Sequence, residues 1–196
     1  MQEIVPGLWH WTALRESIGS AVSSYYLRAE RVAIDPMLPP ERPDWFAPKH
    51  VYLTCRHHDR DAWRLQDELG CDVGVASSGA HELKGRGDFE TFEWGDTLPG
   101  GVIAVEVDAI SPDETAFFLP GYRALAVADG LIRWEPGGPL GFVPDKYMDE
   151  PERTKEGLRA AFRRICAELD FDVLLLAHGD PVVGGARDEL RAFVES

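Results

Sequence analysis

The sequence predicts an α/β domain in which helices cover the outer faces of β-sheets. Short apolar runs separated by turn residues occupy the N-terminal third, and residues 51–76 follow a strand–helix–strand pattern. A long amphipathic stretch and a short apolar run come later, at 151–169 and 173–177. Strands first, then strands and helices interleaved, place the helices outside the sheets. A four-layer α/β/β/α sandwich is one packing of that order, and a three-layer α/β domain is another.

The length and composition favour one folded domain, spanning residues 1–196. A hydrophobic content of 44% with 10% aromatic residues indicates a packed core rather than a disordered chain. Acidic residues outnumber basic residues 34 to 20, which gives a formal net charge of -14. This charge disfavours nucleic acid and anionic membranes as partners. We expect a small-molecule substrate or ligand instead, and the sequence leaves the oligomeric state open.

The cysteines indicate a reducing compartment. Cys55, Cys71 and Cys166 are odd in number, far apart, and include no C-x-x-C pair, so a disulfide framework is not expected. The N-terminus lacks a basic segment followed by an apolar core, and no apolar run reaches membrane-spanning length. These observations predict a cytoplasmic protein.

The predicted strands are short apolar runs bounded by turn residues. They are Ile4–Trp11, Ala21–Arg28, Arg31–Ile34, His50–Thr54, Asp72–Ala76, Val102–Val107, Thr115–Leu119, Arg123–Val127 and Val173–Ala177. A proline-rich connector, Leu38–Pro48, is too broken to be a helix.

Three stretches have the apolar spacing of helices. Asp59–Leu69 is followed by Gly70, which is placed to end a helix. A second helix follows Asp149, and a final helix spans Asp188–Val194. The second helix has Pro151 in its first turn and an apolar stripe formed by Leu158, Phe162, Ile165 and Leu169.

Histidines and aspartates follow several of the predicted strands directly. His57-His58-Asp59 comes after one apolar strand, Asp129 after a second, and His178-Gly179-Asp180 after a third. Asp35 follows a fourth. Strand ends are the usual position of functional sites in sheet proteins, and side chains from several strand ends can meet at one point. This pattern predicts a site assembled from distant parts of the sequence.

Three motifs, LTCRHHDRD at 53–61, ADGL at 128–131 and AHGDPV at 177–182, resemble the metallo-β-lactamase-fold superfamily. The signature of that superfamily is T-H-x-H-x-D-H after a strand, then a G-H within a T/S-P-G segment, then a G-D-x-L with a bridging aspartate, and finally G-H-G-D. The order and spacing of these motifs extend over nearly the whole chain. The resemblance implies a four-layer α/β/β/α fold and a metal-dependent hydrolase.

Compared residue by residue, this sequence retains only some of the metal ligands of the superfamily signature. His57, Asp59, Asp129 and His178 match metal ligands of the superfamily. Histidines of the signature are replaced, and the residues at those positions are Cys55, Ile110 and Arg60. The implied ligand set is therefore His57, Asp59, Asp129 and His178, with Cys55 as a possible addition, and it suits one ion of zinc, iron or manganese. In this reading Asp59 and Asp129 take part in catalysis, while His58, Arg60, Arg56 and Asp35 line the site.

Two other interpretations remain open. In the first, Arg60, with or without Arg56, neutralises Asp59 and Asp129 and replaces the metal charge. The protein would then be a metal-free small-molecule binder or an inactive scaffold. In the second, Cys55 is a nucleophile activated by a neighbouring histidine. In each case the long segment Leu131–Glu150 is expected to close over the site and to set ligand choice.

Overall fold

The computed structural model describes all 196 residues as two β-sheets and three α-helices. The first sheet consists of β1 (Gln2–Val5), β2 (Leu8–Arg15), β3 (Ser20–Leu27), β4 (Val32–Ile34), β5 (His50–Tyr52), β6 (Asp72–Ala76) and β7 (Glu90–Phe92). The second consists of β8 (Thr97–Leu98), β9 (Val102–Glu106), β10 (Thr115–Leu119), β11 (Ala124–Val127), β12 (Val173–Leu176) and β13 (Val182–Val183). The helices are α1 (Ala62–Leu69), α2 (Pro151–Glu168) and α3 (Ala186–Glu195).

Both sheets contain neighbouring parallel strands, which decide where the site forms. The first sheet follows chain order, with β1 to β4 antiparallel and β4 to β7 parallel. In the second sheet only β11 and β12 pair in parallel. Parallel neighbours need a crossover, and α1 and α2 lie in two of these connections. The carboxyl ends of neighbouring parallel strands therefore meet at one edge of each sheet.

Three apolar clusters define four layers. Tyr25 of the first sheet and Phe117 and Leu175 of the second belong to the cluster between the sheets. The outer face of the second sheet packs against α2 and α3 through side chains such as Phe162. The outer face of the first sheet packs against α1 through Leu65. The predicted four-layer α/β/β/α sandwich is thus confirmed, and a three-layer domain is excluded.

Strand β11 shows how the sequence encodes its position between two layers. Ala124 and Ala126 belong to the cluster between the sheets, whereas Leu125 and Val127 belong to the cluster under the helices. Successive side chains of a strand point to opposite faces, so a strand buried on both faces is apolar throughout. The first polar residue after this run, Asp129, comes directly after the buried core.

The first helix begins three residues later than predicted, at Ala62 rather than Asp59. Arg56–His58 form a 3-10 turn instead, and Arg60 adopts a left-handed conformation with φ of 41°. A left-handed residue cannot continue a right-handed helix, so the helix starts only after it. Gly70 ends this helix in a left-handed conformation, as predicted.

The second helix starts at Pro151, as expected, although Glu150 rather than Asp149 precedes it as the N-cap. The segment 131–150 contains only an isolated bridge between Ile132 and Gly141 and a 3-10 turn at Asp145–Tyr147. The short strands β7, β8 and β13 were not expected from the sequence, because two or three residues carry too little periodicity. No helix combines the length and the apolar character needed to cross a membrane.

Candidate metal centre

His58, Asp129 and His178 come together where the two sheets end. Asp129 follows β11 and His178 follows β12, while His58 lies in the 3-10 turn after β5. The Nε2 atoms of His58 and His178 are each 3.1 Å from Oδ1 of Asp129. One ligand atom from each residue lies within 4.8 Å of the other two. Side chains from distant sequence positions therefore form one compact group that could hold a metal ion.

The ring of His58 is fixed from behind by a second aspartate. Its Nδ1 lies 2.8 Å from Oδ2 of Asp35, and the Thr54 hydroxyl donates to the same oxygen at 2.6 Å. The main-chain N–H of Thr54 donates to Oδ1 of Asp35 at 2.9 Å. Because Nδ1 of His58 is bound to the carboxylate of Asp35, the Nε2 atom on the other side of the ring faces Asp129. This is the arrangement in which a carboxylate orients a metal-binding histidine.

Electrostatics favour a charged form of this group in the absence of metal. Burial works against the charge on His58, but the carboxylates of Asp129 and Asp35 hold the pKa of the imidazole well above its ordinary value. Burial likewise opposes the charge on Asp129, but His58 and His178 keep the pKa of its carboxyl well below its ordinary value. His58 therefore carries a proton between two carboxylates.

The structure differs from the sequence-based ligand set within the pair of adjacent histidines. His57 is exposed, and only its main-chain carbonyl is bound, by Nη1 of Arg15 at 2.7 Å. His58 is buried and takes the place beside Asp129. The expectation for His57 comes from its register with the superfamily signature, but the 3-10 turn at 56–58 rotates each successive residue by about a third of a turn. Neighbouring side chains then point in different directions, and His58 is the one directed inward.

Asp59 does not join His58, Asp129 and His178 either. Its carboxylate accepts from Nη1 of Arg86 at 2.9 Å, from Nη2 of Arg15 at 3.4 Å and from the indole of Trp63 at 3.3 Å. Two guanidinium groups thus neutralise this buried carboxylate. Neither Arg15 nor Arg86 is identifiable from the sequence, because they lie 44 and 27 positions away from Asp59.

Arg60 and Arg56 do not form the ion pairs with Asp59 and Asp129 that the metal-free interpretation expects, although Arg56 lines the cavity beside Asp129. Nη1 of Arg60 donates to the main-chain carbonyls of Ser23 and Asp35, the latter at 2.6 Å, while its Nε and Nη2 are buried without a hydrogen-bond partner. Arg56 is held away from the aspartates of the centre. Its main-chain N–H donates to Oδ2 of Asp113 at 2.6 Å, and its guanidinium pairs with Asp113 and Glu82.

Cys55 is buried beside the centre but has the properties of a thiol rather than a thiolate. Burial raises its pKa, and the favourable charge of His58 does not offset that effect. The thiolate is the reactive form of cysteine, both as a nucleophile and as a metal ligand. The structure therefore disfavours the interpretation in which Cys55 acts as a nucleophile.

Glu114 supports the centre and was not identified from the sequence. Its Oε1 accepts from the main-chain N–H of Gly130 at 2.8 Å, directly after Asp129, and its Oε2 accepts from the N–H of Ile110 at 3.0 Å. The segment that carries a histidine ligand in the superfamily is thus fixed here through its main chain. The only sequence signal is an acidic residue immediately before an apolar strand. Burial raises the pKa of the Glu114 carboxyl to about 7.

Replacing Glu114 by glutamine should remove one component of the pH dependence of stability. The carboxyl titrates at about 7 in the folded state, against an ordinary value of 4.5. The folded state therefore binds more protons between these values, and the free energy of unfolding falls as pH rises from 4.5 to 7. The contribution of this group to that fall is about 3 kcal/mol.

The measurement is urea unfolding of the wild type and of Glu114→Gln at several pH values across this window. The stability of the variant relative to the wild type should rise with pH by about that amount. Stability curves that run parallel for the two proteins would contradict the assignment. Taking the difference removes the contributions of other titrating groups, including His10, whose pKa burial lowers to about 4.

The loop that carries His178 is fixed by strand β3 and by the segment after Asp129. The Ser23 hydroxyl donates to the carbonyl of Gly179 at 2.9 Å, and the Tyr25 hydroxyl donates to that of Leu176 at 2.7 Å. The main-chain N–H of Arg133 donates to the carbonyl of His178 at 3.1 Å. Gly179 has φ of 100°, and a Cβ atom there would lie 2.0 Å from the carbonyl oxygen of Arg133.

A cavity of about 410 Å³ opens beside Asp129 and His178. Its wall includes five residues of the 131–150 segment, namely Ile132, Trp134, Val143, Tyr147 and Asp149. The remaining lining residues are Ile18, Ser20, Arg56, His57, Ile110, Ser111, Asp129 and His178. The long segment thus lines the site, where the sequence led us to expect it, while its influence on ligand choice stays a prediction.

Solved structures of the metallo-β-lactamase fold match nearly all of this chain. The metallo-β-lactamase from Pontibacter korlensis has a TM-score of 0.71 at 14% identity, covering 100% of this chain and 98% of its own. For the flavodiiron protein from Giardia intestinalis the TM-score is 0.68 at 18% identity, covering 99% of this chain and 58% of its own. TTHA1623, solved in a di-iron-bound form, has a TM-score of 0.66 at 18% identity, covering 93% and 99%.

No protein-family model and no curated protein sequence matches the chain. At identities of 14–18% the likeness is one of fold. It agrees with the two packed sheets, the helices outside them and the side chains gathered at the strand ends. The chain therefore has the metallo-β-lactamase fold.

Proposed function

We propose that the chain is a metal-dependent hydrolase that uses one divalent ion to activate water on an ester, thioester or lactone-like small molecule. The observation that carries this proposal is the group formed by His58, Asp129 and His178, whose ligand atoms lie within 4.8 Å of one another. Two histidines and one carboxylate leave a coordination position open, which is the composition of catalytic zinc sites. The same donors suit iron or manganese, and TTHA1623 shows that the fold can hold iron.

The side chains around these three residues fit such an ion. His58 and His178 would bind it through Nε2 and Asp129 through Oδ1. Asp35 keeps Nδ1 of His58 occupied, so that the other ring nitrogen is available to the ion. The proton that His58 holds between Asp35 and Asp129 must leave on binding, so metal affinity should weaken in acid.

An ion at this position supplies a Lewis acid that acidifies water and polarises a carbonyl group. Asp129 contributes directly, because its carboxylate contacts both histidines and also lines the cavity. His58 and His178 keep its pKa well below the ordinary value, so it is ionised at neutral pH and presents a negative charge to the ion and to a reacting group in the cavity. Asp59 faces Arg15 and Arg86 instead, so we assign the catalytic aspartate role to Asp129 alone.

The side chains support one ion rather than two. A second site would need Asp59, whose carboxylate is already neutralised by two arginines. Arg60 stands where the superfamily has a histidine ligand, and its buried guanidinium would repel a further cation. The function proposed is therefore that of a mononuclear enzyme.

Metal content tests this proposal. Protein purified without a metal-affinity tag, then incubated with zinc or manganese and desalted, should contain about one ion per chain by elemental analysis. His178→Ala should lose the ion because one of three ligands is removed. His57→Ala should keep it because that ring is exposed and outside the group.

Circular dichroism of each variant shows whether a loss of metal reflects unfolding. If the wild-type protein takes up no metal under these conditions, the proposed metal-dependent hydrolase function is wrong. Metal lost from both His57→Ala and His178→Ala would instead restore the ligand set expected from the sequence alone.

A metal-free small-molecule binder is the second candidate function. The observation that favours it is the pairing of three carboxylates at the site with positive groups: Asp35 and Asp129 with His58, and Asp59 with Arg15 and Arg86. In that case arginines and a protonated histidine replace the metal charge. The metal analysis separates the two candidates directly. Both candidates act on small molecules, and three buried free cysteines support a reducing, cytoplasmic setting for either.

A further inference from the structure

A second cavity, of about 350 Å³, also reaches Asp129, and we call it the arginine cavity. Its lining residues are Arg15, Ile18, Arg56, His57, His58, Asp59, Arg86 and Asp129. Four of these residues, including Asp129, also line the cavity of about 410 Å³ described above, so the two cavities adjoin at the candidate metal centre. Both volumes fall within the range of about 300–1,000 Å³ that is typical of ligand pockets. A substrate bound at the centre can therefore extend into the arginine cavity.

Arg15 and Arg86 reach the arginine cavity from different parts of the chain and bind the same carboxylate. Arg15 ends strand β2, and Arg86 follows the 3-10 turn Ala80–Glu82. Nη2 of Arg15 lies 3.4 Å from Oδ1 of Asp59, and Nη1 of Arg86 lies 2.9 Å from Oδ2. Two guanidinium groups thus share one carboxylate, so the three side chains together carry one unbalanced positive charge. This local excess is opposite in sign to the formal net charge of -14 and attracts an anion to the cavity.

Both guanidinium groups retain N–H donors that no protein group accepts. A guanidinium has five N–H groups in a planar fork. Arg86 uses one of them, on Asp59, and its side chain is 60% exposed. Arg15 uses two, on Asp59 and on the main-chain carbonyl of His57, and its side chain is 25% exposed. The remaining donors can bind the oxygens of a carboxylate or a phosphate.

The proposed metal ion does not remove this excess of positive charge. When a divalent ion binds, the proton that His58 holds between two aspartates must leave. The two charges of the ion then balance Asp35 and Asp129, and the excess at Arg15 and Arg86 remains. Without the ion, the single charge of His58 leaves one negative charge on these two aspartates. An anionic ligand is therefore favoured most strongly in the metal-bound protein.

Arg56 also lines the arginine cavity but contributes no unbalanced charge. Its Nε lies 3.1 Å from Oε2 of Glu82, and its Nη1 pairs with the buried carboxylate of Asp113. An anion at Arg56 would compete with two carboxylates that are already bound there. We therefore assign Arg56 no part in ligand binding.

Building on the proposed hydrolase, we propose that Arg15 and Arg86 bind an anionic group of the substrate, a carboxylate or a phosphate. This group lies in the arginine cavity while the reacting carbonyl faces the candidate metal centre. The substrate class is thus an ester, thioester or lactone that also carries a carboxylate or a phosphate. Arg15 and Arg86 determine specificity and take no part in the hydrolysis itself.

Three matched ketones test the proposal without any turnover. 4-Oxopentanoate and 3-oxobutylphosphonate carry their anionic groups two methylenes from the same ketone, and 4-oxopentanamide is the neutral counterpart. Binding is followed by NMR at the indole N–H of Trp63, which lies 3.3 Å from Oδ2 of Asp59 and is identified as the signal missing from Trp63→Phe. In zinc-loaded protein at least one anion should bind about fivefold more tightly than the amide, and the tighter one identifies the group. Equal binding of all three ketones would overturn the proposal.

Substitution of Arg86 shows whether the arginines or the ion hold the anion. In Arg86→Gln the charges of Arg15 and Asp59 balance, so the tighter anion should bind at least about threefold more weakly, while the amide is unaffected. Arg64→Gln is the matched control. Arg64 is 64% exposed and pairs with one carboxylate, Glu68, at 2.8 Å, but it lies outside the arginine cavity. Anion binding that is unchanged in Arg86→Gln would place the anion on the ion or elsewhere and refute the assignment.

Repeating the titrations on EDTA-treated protein lets the two proposals fail separately, because Arg15, Arg86 and Asp59 are the same with and without metal. Anion binding that depends on Arg86, in a protein that takes up no metal, keeps the ligand class and removes the hydrolase. Metal uptake without any dependence on Arg86 keeps the hydrolase and overturns the substrate class.

Discussion

Replacing His58 by alanine lowers the free energy of unfolding by about 3–5 kcal/mol, the usual cost of removing one partner of a buried ion pair. His58 is 4% exposed and lies between Asp35 and Asp129, at 2.8 and 3.1 Å. Without the imidazolium, the two aspartates face one another with no positive group between them. A protein that no longer accumulates in folded form would meet the same expectation.

His57→Ala is the matched control for this prediction, since it removes the same side chain from the adjacent position. The His57 ring is exposed, so its removal should change stability by less than about 0.5 kcal/mol. Both variants are measured by urea unfolding at pH 7 in the presence of EDTA, which removes any stabilisation by bound metal. Similar losses in the two variants would show that His58 is not the buried member of the pair.

Replacing Gly179 by alanine should lower the free energy of unfolding by about 2–4 kcal/mol, in two parts. The left-handed conformation costs about 1 kcal/mol for any residue with a Cβ atom. That Cβ atom would also lie 2.0 Å from the carbonyl oxygen of Arg133, and relieving such an overlap typically costs a further 1–3 kcal/mol, roughly. Because the N–H of Arg133 binds the carbonyl of His178, the displacement moves a ligand of the candidate centre.

Gly184→Ala separates the conformational cost from the cost of the overlap. Gly184 is also left-handed, with φ of 87°, but a Cβ atom there meets nothing within 4 Å. Only the conformational cost of about 1 kcal/mol should remain, and metal uptake should be unchanged. Thermal and urea unfolding of both variants, with elemental analysis, give the comparison. If Gly179→Ala proves as stable as Gly184→Ala, the loops that carry Gly179 and Arg133 relieve the overlap at no cost, and the prediction is wrong.

The sequence predicts the strands and helices of this fold well, because burial leaves a regular trace in it. Their arrangement in four layers rather than three is implied only by the resemblance to a known fold. The strand Ala124–Val127 is apolar on both faces because two cores flank it, and the stripe of α2 repeats at helical spacing. The same logic places Asp129 and His178 at the strand ends, where the structure brings them together. These features depend on local periodicity and on the order of elements along the chain.

The remaining features of the site depend on local turns and distant pairings, which leave no periodic trace. The choice of His58 over His57 follows from a 3-10 turn of three residues. The arginines that bind Asp59 come from a different strand and a different loop. Glu114 is recognisable as a support only once the fold brings its carboxylate to the N–H groups of Ile110 and Gly130, which lie 4 and 16 positions away.

The two hydrogen bonds from β3 to the His178 loop have a consequence for the order of folding. They join residues that are 156 and 151 positions apart, Ser23 to Gly179 and Tyr25 to Leu176. Contacts of such high contact order form slowly, since a long loop must close before they are made. On the ribosome, β3 emerges well before the His178 loop is synthesised. We therefore expect Asp35 and His58 to be synthesised and available before Asp129 and His178 can join them. The candidate metal centre would then be the last part of this molecule to assemble.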